Sequence, residues 1–201
     1  KFGVPLSLFN LRENDEFGIF EIGMDKKGEI DYLSKIIKPD VGVITNISYA
    51  HIKNFKNIHQ LALAKSEIIN NIKTNGHLIL NQDDKFYNLH KKIAKRKKIN
   101  ILTFSLKTKS ANTFLKKIVK EKSKYKIVIN INKKETFFYV RSVFENNLKN
   151  LLATITVISI FRNIQKLGKN IFFDHALTKG RGDIAKVKIN KKSIYIVDES
   201  Y

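Results

Sequence analysis

Hydrophobic residues along the chain follow two rhythms, and the change from one to the other divides the sequence. Up to residue 104, short continuous apolar runs alternate with stretches in which apolar residues recur every three or four positions. The runs at 17–22, 41–45, 77–80 and 99–104 predict strands covered on both faces, as in a parallel sheet. Between them, Ile30, Leu33, Ile36 and Ile37 predict a helix from 28 to about 38 that Pro39 stops. Leu61, Ala64, Ile68 and Ile72 predict a second helix, running to about 73 and ended by Asn75-Gly76. A third covers 86–95, with a basic last turn that suits the helix dipole. Helices between successive strands make parallel pairing the expected geometry.

From 112 to 140 the rhythm changes. Segments near 113–119, 125–131 and 135–140 alternate or run β-branched, separated by Lys122-Ser123-Lys124 and Asn132-Lys133-Lys134. They predict an antiparallel meander. A long helix follows at 144–161, then strands at 184–189 and 193–197 around Asn190-Lys191-Lys192. The opening stretch 1–11 reads as a Gly-Pro turn followed by apolar residues. The expected fold class is therefore α/β: a mostly parallel sheet flanked by helices, with a small antiparallel meander appended over 112–140. The 201 residues suffice for one such domain. The chain starts at Lys1 and stops just after an apolar strand pattern, so the expectation is a domain truncated at both ends.

Charge adds one question. Lysine and arginine number 38 against 18 acidic residues, a net charge of +20, which raises nucleic-acid binding as a function. Against it, the lysines are spread along the chain outside the run 91–98, and lysine far outnumbers the arginine that base readout favours. The charge reads mainly as solvated surface that would steer nucleotides, and no nucleic-acid partner is expected. No apolar run approaches the roughly 18 residues of a membrane span, and no signal segment is visible. Cysteine is absent, which removes disulfides and thiolate metal sites. A cytoplasmic monomer with no membrane contact is the expectation.

Candidate chemistry clusters near predicted strand ends. Lys65 lies on the apolar face of its helix, so its ammonium either reaches out to water or has a task there. Glu21 ends the predicted strand 17–22, where open α/β sheets hold their ligand crevice, or it is an ordinary solvated carboxylate. His51 sits between the end of one strand and the helix of Lys65, as a surface residue or a ligand. Asn46, just past the run 41–45, suits a turn. Asn81-Gln82-Asp83-Asp84 suits a turn and cap cluster as well as a site. Asn147 and Asn150 open the long helix, where capping is the simpler role. Lys179-Gly180-Arg181-Gly182 is a glycine-rich loop whose guanidinium could grip a phosphate.

Several stretches together are similar to the central domain of the Mur ligases, the ATP-dependent amide-forming enzymes of peptidoglycan precursor synthesis. They are Gly-Val-Pro-Leu-Ser-Leu at 3–8, Glu-x-Gly at 21–23, Gly-Glu-Ile at 28–30, Thr45-Asn46 with His51, Phe-Lys-Asn at 55–57 and Ala-Lys-Ser-Glu-Ile at 64–68. Gly-Glu-Ile and Ala-Lys-Ser-Glu-Ile resemble the MurF type, which adds D-alanyl-D-alanine. The resemblance implies ATP and Mg2+ as cofactors. It implies Glu21, His51 and a carbamylated Lys65 as magnesium ligands, Lys65, His51 and Arg181 as catalytic residues, and Asn46 near the metal and phosphates. Asn147 and Asn150 would serve the adenine side, Arg181 the transferred phosphate and Asp198 the ribose. The implied partners are UDP-N-acetylmuramoyl-tripeptide and D-alanyl-D-alanine. The chain departs from the pattern where Phe144 and Asn146 stand in place of a glycine and a histidine. The family's phosphate-binding loop would precede Lys1 and is absent from this sequence, so the fragment alone is expected to be inactive. Rival readings are a MurE-like or folylpolyglutamate synthase-like ligase, a basic nucleic-acid-binding domain, and a non-catalytic interaction protein.

Overall fold

The structure is a computed structural model. It describes residues 3–49 and 52–173 in full, together with the backbone of two strands at 183–189 and 192–198. Six strands form one sheet in sequential order: β1 (Val41–Ile44), β2 (His77–Asn81), β3 (Asn100–Ser105), β4 (Thr113–Glu121), β5 (Lys124–Ile131) and β6 (Lys134–Val140). The first three ladders are parallel and the last two antiparallel. The α/β expectation holds, with one refinement. The meander is not a separate sheet but the continuation of the parallel one, joined through Phe104↔Thr113 and Ser105↔Phe114.

That junction explains how a parallel pair is connected without a crossover helix. Only the last two residues of β3 pair with the first two of β4, so the meander runs on past the C-terminal ends of the parallel strands. Asn112 reinforces the seam. Its Oδ1 accepts the Thr103 N–H at 2.9 Å and the Thr103 hydroxyl at 3.1 Å, while its own N–H donates to Thr103 Oγ1 at 3.1 Å.

Period-two alternation assigns the two faces. On β2, Leu78 and Leu80 pack with Ile44, Ile69, Ile72, Ala94 and Ile99, beneath α4 (Tyr87–Arg96). Ile79 points the other way, joining Phe104, Ile127, Ile129, Phe138 and the buried side of α5 (Glu145–Phe161). β2 is thus buried on both faces, which is why it reads as an unbroken apolar run. Among the described residues the meander is covered on one face, by α5. α5 lies antiparallel to the parallel strands: it ends at Phe161 beside Asp40 and His77 at their N-terminal edge, and it begins at their C-terminal rim. β7 (Asp183–Ile189) and β8 (Lys192–Asp198) are strands where the apolar pattern predicts them, and they form a separate antiparallel pair.

Three expectations are corrected. Residues 17–22 are not a strand: the segment is extended but makes no ladder among the described residues, with Phe17 51% and Ile19 95% exposed. A continuous apolar run becomes a strand only with a neighbour to share its backbone hydrogen bonds, and none is present for this one among the described residues. Residues 3–9 form a short helix, α1 (Gly3–Phe9), rather than a turn alone. The helix carrying Lys65 is two pieces: α3 (Ile58–Lys65) is α-helical, and Ser66–Asn71 is a 3-10 helix. Past Lys65 the buried positions are Ser66, Ile69 and Ile72, three apart, as 3-10 geometry requires. Gly42 lets this segment press onto β1, since a Cβ there would stand 2.7 Å from the Ile72 side chain.

Candidate functional site

The site is built from the loops at the C-terminal rim of β1 and β2. Ile22, Met24 and Ile47 pack with Leu61, Ala64 and Ile68 into one small apolar cluster. This brings the stretch after Glu21, the end of β1 and the end of α3 together. Lys65 is half-buried at the last turn of α3. Burial pushes its ammonium below the ordinary lysine value, and the Glu21 carboxylate acts on it in the opposite direction. Glu21 itself is exposed. The structure therefore brings Glu21 and Lys65 within electrostatic range, although they are far apart in sequence. His51 lies outside the described residues, and so does Arg181. Asp198 pairs through its backbone with Asp183 at the end of β8, and its side chain is not described. Among the described residues no three His, Cys, Asp or Glu side chains converge as a metal site. That set contains neither His51 nor a carboxylated lysine.

The Asn-x-Asp-Asp cluster turns out to be a structural clamp. The Asp84 carboxylate accepts the N–H of Ile47 at 2.8 Å and of Phe86 at 2.8 Å, tying the loop after β1 to the start of α4. The Asp83 carboxylate accepts the Ser105 hydroxyl at 2.6 Å, the Leu106 N–H at 2.7 Å and the Thr108 hydroxyl at 3.1 Å. Both carboxylates are thereby filled by donors that hold the rim in shape. Asn46 is exposed beside them and accepts the Thr45 hydroxyl at 3.3 Å.

The N-terminus of α5 reaches the same rim. Its Glu145 carboxyl is held below the usual range chiefly by the hydrogen bond from Lys149, and it also feels Lys107 and Asp83, which follow β3 and β2. Two residues on, Asn147 has its Nδ2 buried without a hydrogen-bond partner among the described residues. Buried polar groups are seldom left unpaired, so this donor is a candidate to meet a ligand. Asn150 is exposed, and only its backbone carbonyl is engaged, by Thr154.

Sequence reasoning missed Glu67 and Asn71. The Glu67 carboxylate accepts the Gly28 N–H on both oxygens, at 2.8 and 2.9 Å, and the Asp31 N–H at 3.2 Å. It caps α2 (Glu29–Ile37) from a position 39 residues away. Gly28, at φ 90°, brings no side chain to cap its own helix. Asn71 Nδ2 donates to the Asp31 carbonyl, the Asp31 carboxylate and Ser34 Oγ at 2.9–3.0 Å. The Gly-Glu-Ile and Ala-Lys-Ser-Glu-Ile stretches are thus two halves of one clasp. A glycine at a helix start with no local cap is the signal that could have led to it.

The chain belongs to the Mur ligase middle-domain family, whose profile matches residues 1–158. Within that family it is similar to the MurF type. It is 35% identical over 190 residues to the UDP-N-acetylmuramoyl-tripeptide--D-alanyl-D-alanine ligase of Rickettsia prowazekii, covering 92% of this chain and 41% of the relative. A crystal structure of MurF from Acinetobacter baumannii superposes with a TM-score of 0.82 at 26% identity, over 98% of this chain and 42% of that one. MurF ligase from Thermotoga maritima in complex with ADP superposes with a TM-score of 0.80 at 23% identity, over the whole of this chain and 44% of that one. The chain thus spans about two fifths of the length of these relatives.

Proposed function

We propose that this chain is the ATP-binding middle portion of an ATP-dependent ligase that joins D-alanyl-D-alanine to UDP-N-acetylmuramoyl-tripeptide. In this reading the tripeptide carboxylate attacks the γ-phosphorus of ATP, releasing ADP and leaving an acyl phosphate. The dipeptide amine then attacks the acyl carbon, phosphate departs, and an amide bond remains. A magnesium ion, when bound, neutralises charge on the phosphates.

The observation that carries the reading is the apolar cluster that gathers the stretch after Glu21 and the end of α3, leaving Lys65 half-buried where the Glu21 carboxylate acts on it. Desolvation favours the neutral amine, and a neutral amine is the form that can add carbon dioxide. The N–C bond forms, a proton leaves, and the product is a carboxylate on the lysine stem. A half-buried cation is thereby exchanged for an oxygen ligand that a hard cation accepts. Glu21 supplies a second carboxylate from across the apolar cluster, and this donor set fits magnesium. His51 would complete it, which is assigned on the resemblance alone. Asn147 offers its Nδ2 to the nucleoside; on the resemblance alone, Asn150 would serve the same side, Asp198 the ribose, Asn46 the metal and phosphates, and Arg181 the transferred phosphate.

The test is Lys65→Ala in the ligase that carries this domain. Activity should be lost and not restored by added bicarbonate, while wild-type enzyme given 13C-bicarbonate shows one lysine carbamate resonance that the variant lacks. Full activity in Lys65→Ala would refute the role.

A further inference from the structure

The clasp on α2 lies two residues beyond Lys65, at the point where α3 changes pitch. An α-helix turns about 100° per residue and a 3-10 helix about 120°, so the two diverge by roughly 120° between Ser66 and Ile72. Ser66, Ile69 and Ile72 are buried on the sheet side at three-residue spacing, which 3-10 winding holds in line and a continued α-helix would fan over about 120°. On the other side Glu67 and Asn71 both reach α2 from this segment, where they hold Gly28, Asp31 and Ser34. The tighter winding keeps the buried line straight while the clasp holds the segment to α2. Lys65 is the last residue before the change, and Ser66 marks it: its N–H reaches the Ala62 and Ala64 carbonyls and its hydroxyl the Leu63 carbonyl at 2.6 Å.

We propose that Glu67, seconded by Asn71, is a positioning residue for Lys65: by tying the 3-10 segment to α2 it fixes where α3 stops, and so aims the Lys65 side chain toward Glu21. The inference rests on the ligase reading of Lys65. Glu67 acts through the backbone: its two carboxylate oxygens are taken up by the Gly28 and Asp31 N–H groups. The clasp also orders the approach of Glu21, because α2 follows directly from the 21–28 loop. Asp25 and Lys26 in that loop donate their N–H groups to Glu29 at 2.7 and 3.1 Å. One carboxylate thereby registers both partners of the Glu21–Lys65 pair.

The test uses Glu67→Ala and Glu67→Gln, the glutamine keeping a carbonyl oxygen for Gly28 and Asp31. In this chain, NMR of Glu67→Ala should lose the i to i+2 contacts diagnostic of 3-10 winding over 66–71 and shift the amides of Ala64 and Lys65; Glu67→Gln should retain them. In the ligase that carries the domain, kcat should fall by about 10²-fold, the scale of a 1 Å misplacement, with KM for the dipeptide and the UDP-linked substrate unchanged and most of kcat restored by glutamine. Wild-type winding or wild-type kcat in Glu67→Ala would overturn the proposal. Should Glu67→Ala not fold, Asn71→Ser is measured in the same way: lost winding and lowered kcat support the proposal, and wild-type values of either overturn it. A Lys65→Ala enzyme that stays active would sink the ligase reading instead, whatever the winding measurements return.

Discussion

The two halves of the sheet solve the same packing problem differently. β2, in the parallel half, is closed on both faces, by α4 and the 3-10 segment on one side and α5 on the other. In the meander, α5 covers one face; the other carries Lys117, Val119, Lys126, Phe137 and Tyr139 in register. Its lysines lie over its rings, Lys124 Nζ 3.5 Å from the Tyr139 centroid and Lys126 Nζ 4.1 Å from that of Phe137. A parallel sheet sends all its strand ends to one rim, so polar side chains from distant parts of the chain meet there. A meander sends its ends alternately to opposite sides and assembles no such rim. Asp83, Asp84, Asn147 and the Glu21–Lys65 pair all belong to the parallel half or to the helix end that abuts it.

The sharpest break of this comparison is inside the core that both halves share. Phe138 is fully buried against α5 and stacks edge-on with Phe172, so Phe138→Ala should cost about 3–5 kcal/mol. Val119→Ala, on the open face of β4, should stay within about 0.5 kcal/mol. Denaturant midpoints at constant slope measure both; equal losses would mean that the outer face is covered after all.

A smaller effect is expected at the rim. Asp83→Ala strips the acceptor from Ser105, Leu106 and Thr108, and donors left in a part-buried turn cost about 1–3 kcal/mol. The matching change on the meander, Glu135→Ala, removes only an exposed ion pair with Lys116. It should leave the midpoint nearly unmoved.

The smallest effect is a slope with pH. His90 on α4 is buried and shares a hydrogen bond of 3.1 Å between its Nε2 and the Ala62 carbonyl of α3. Burial lowers its pKa, with the Ala62 hydrogen bond and Asp84 opposing. Below the ordinary histidine value of about 6.5, the unfolded chain takes up a proton that the folded chain resists. Stability therefore falls as pH drops through that value, by at most about 1.4 kcal/mol per pH unit, and levels off below the folded pKa. His90→Gln should flatten the curve in that window; an unchanged slope would assign it to other groups.

What the sequence made legible follows the same division. β1, β2, β3 and the meander could be read because burial on two faces and on one leave different apolar patterns. Residues 17–22 carry the first pattern without a ladder partner among the described residues, since composition records burial tendency and not who supplies the hydrogen bonds. The 3-10 winding after Lys65 was hidden because Leu61, Ala64 and Ile72 suit both pitches, and only the choice of Ile69 over Ile68 for the deepest position separates them. Lys65 and Glu21 could be singled out by type and place, and the structure couples them electrostatically. Glu67 was invisible because a cap is sought three residues from its helix start, and this one arrives from another helix.

The seam between β3 and β4 has a mechanical meaning. Two rungs and one asparagine are the whole lateral attachment between the halves among the described residues, whereas α5 spans both. Shear across the sheet would thus be carried by an oily splint rather than by amide bonds. Such a joint can give by small sliding steps without tearing a ladder, and its axis passes beside the loop that Asp83 holds.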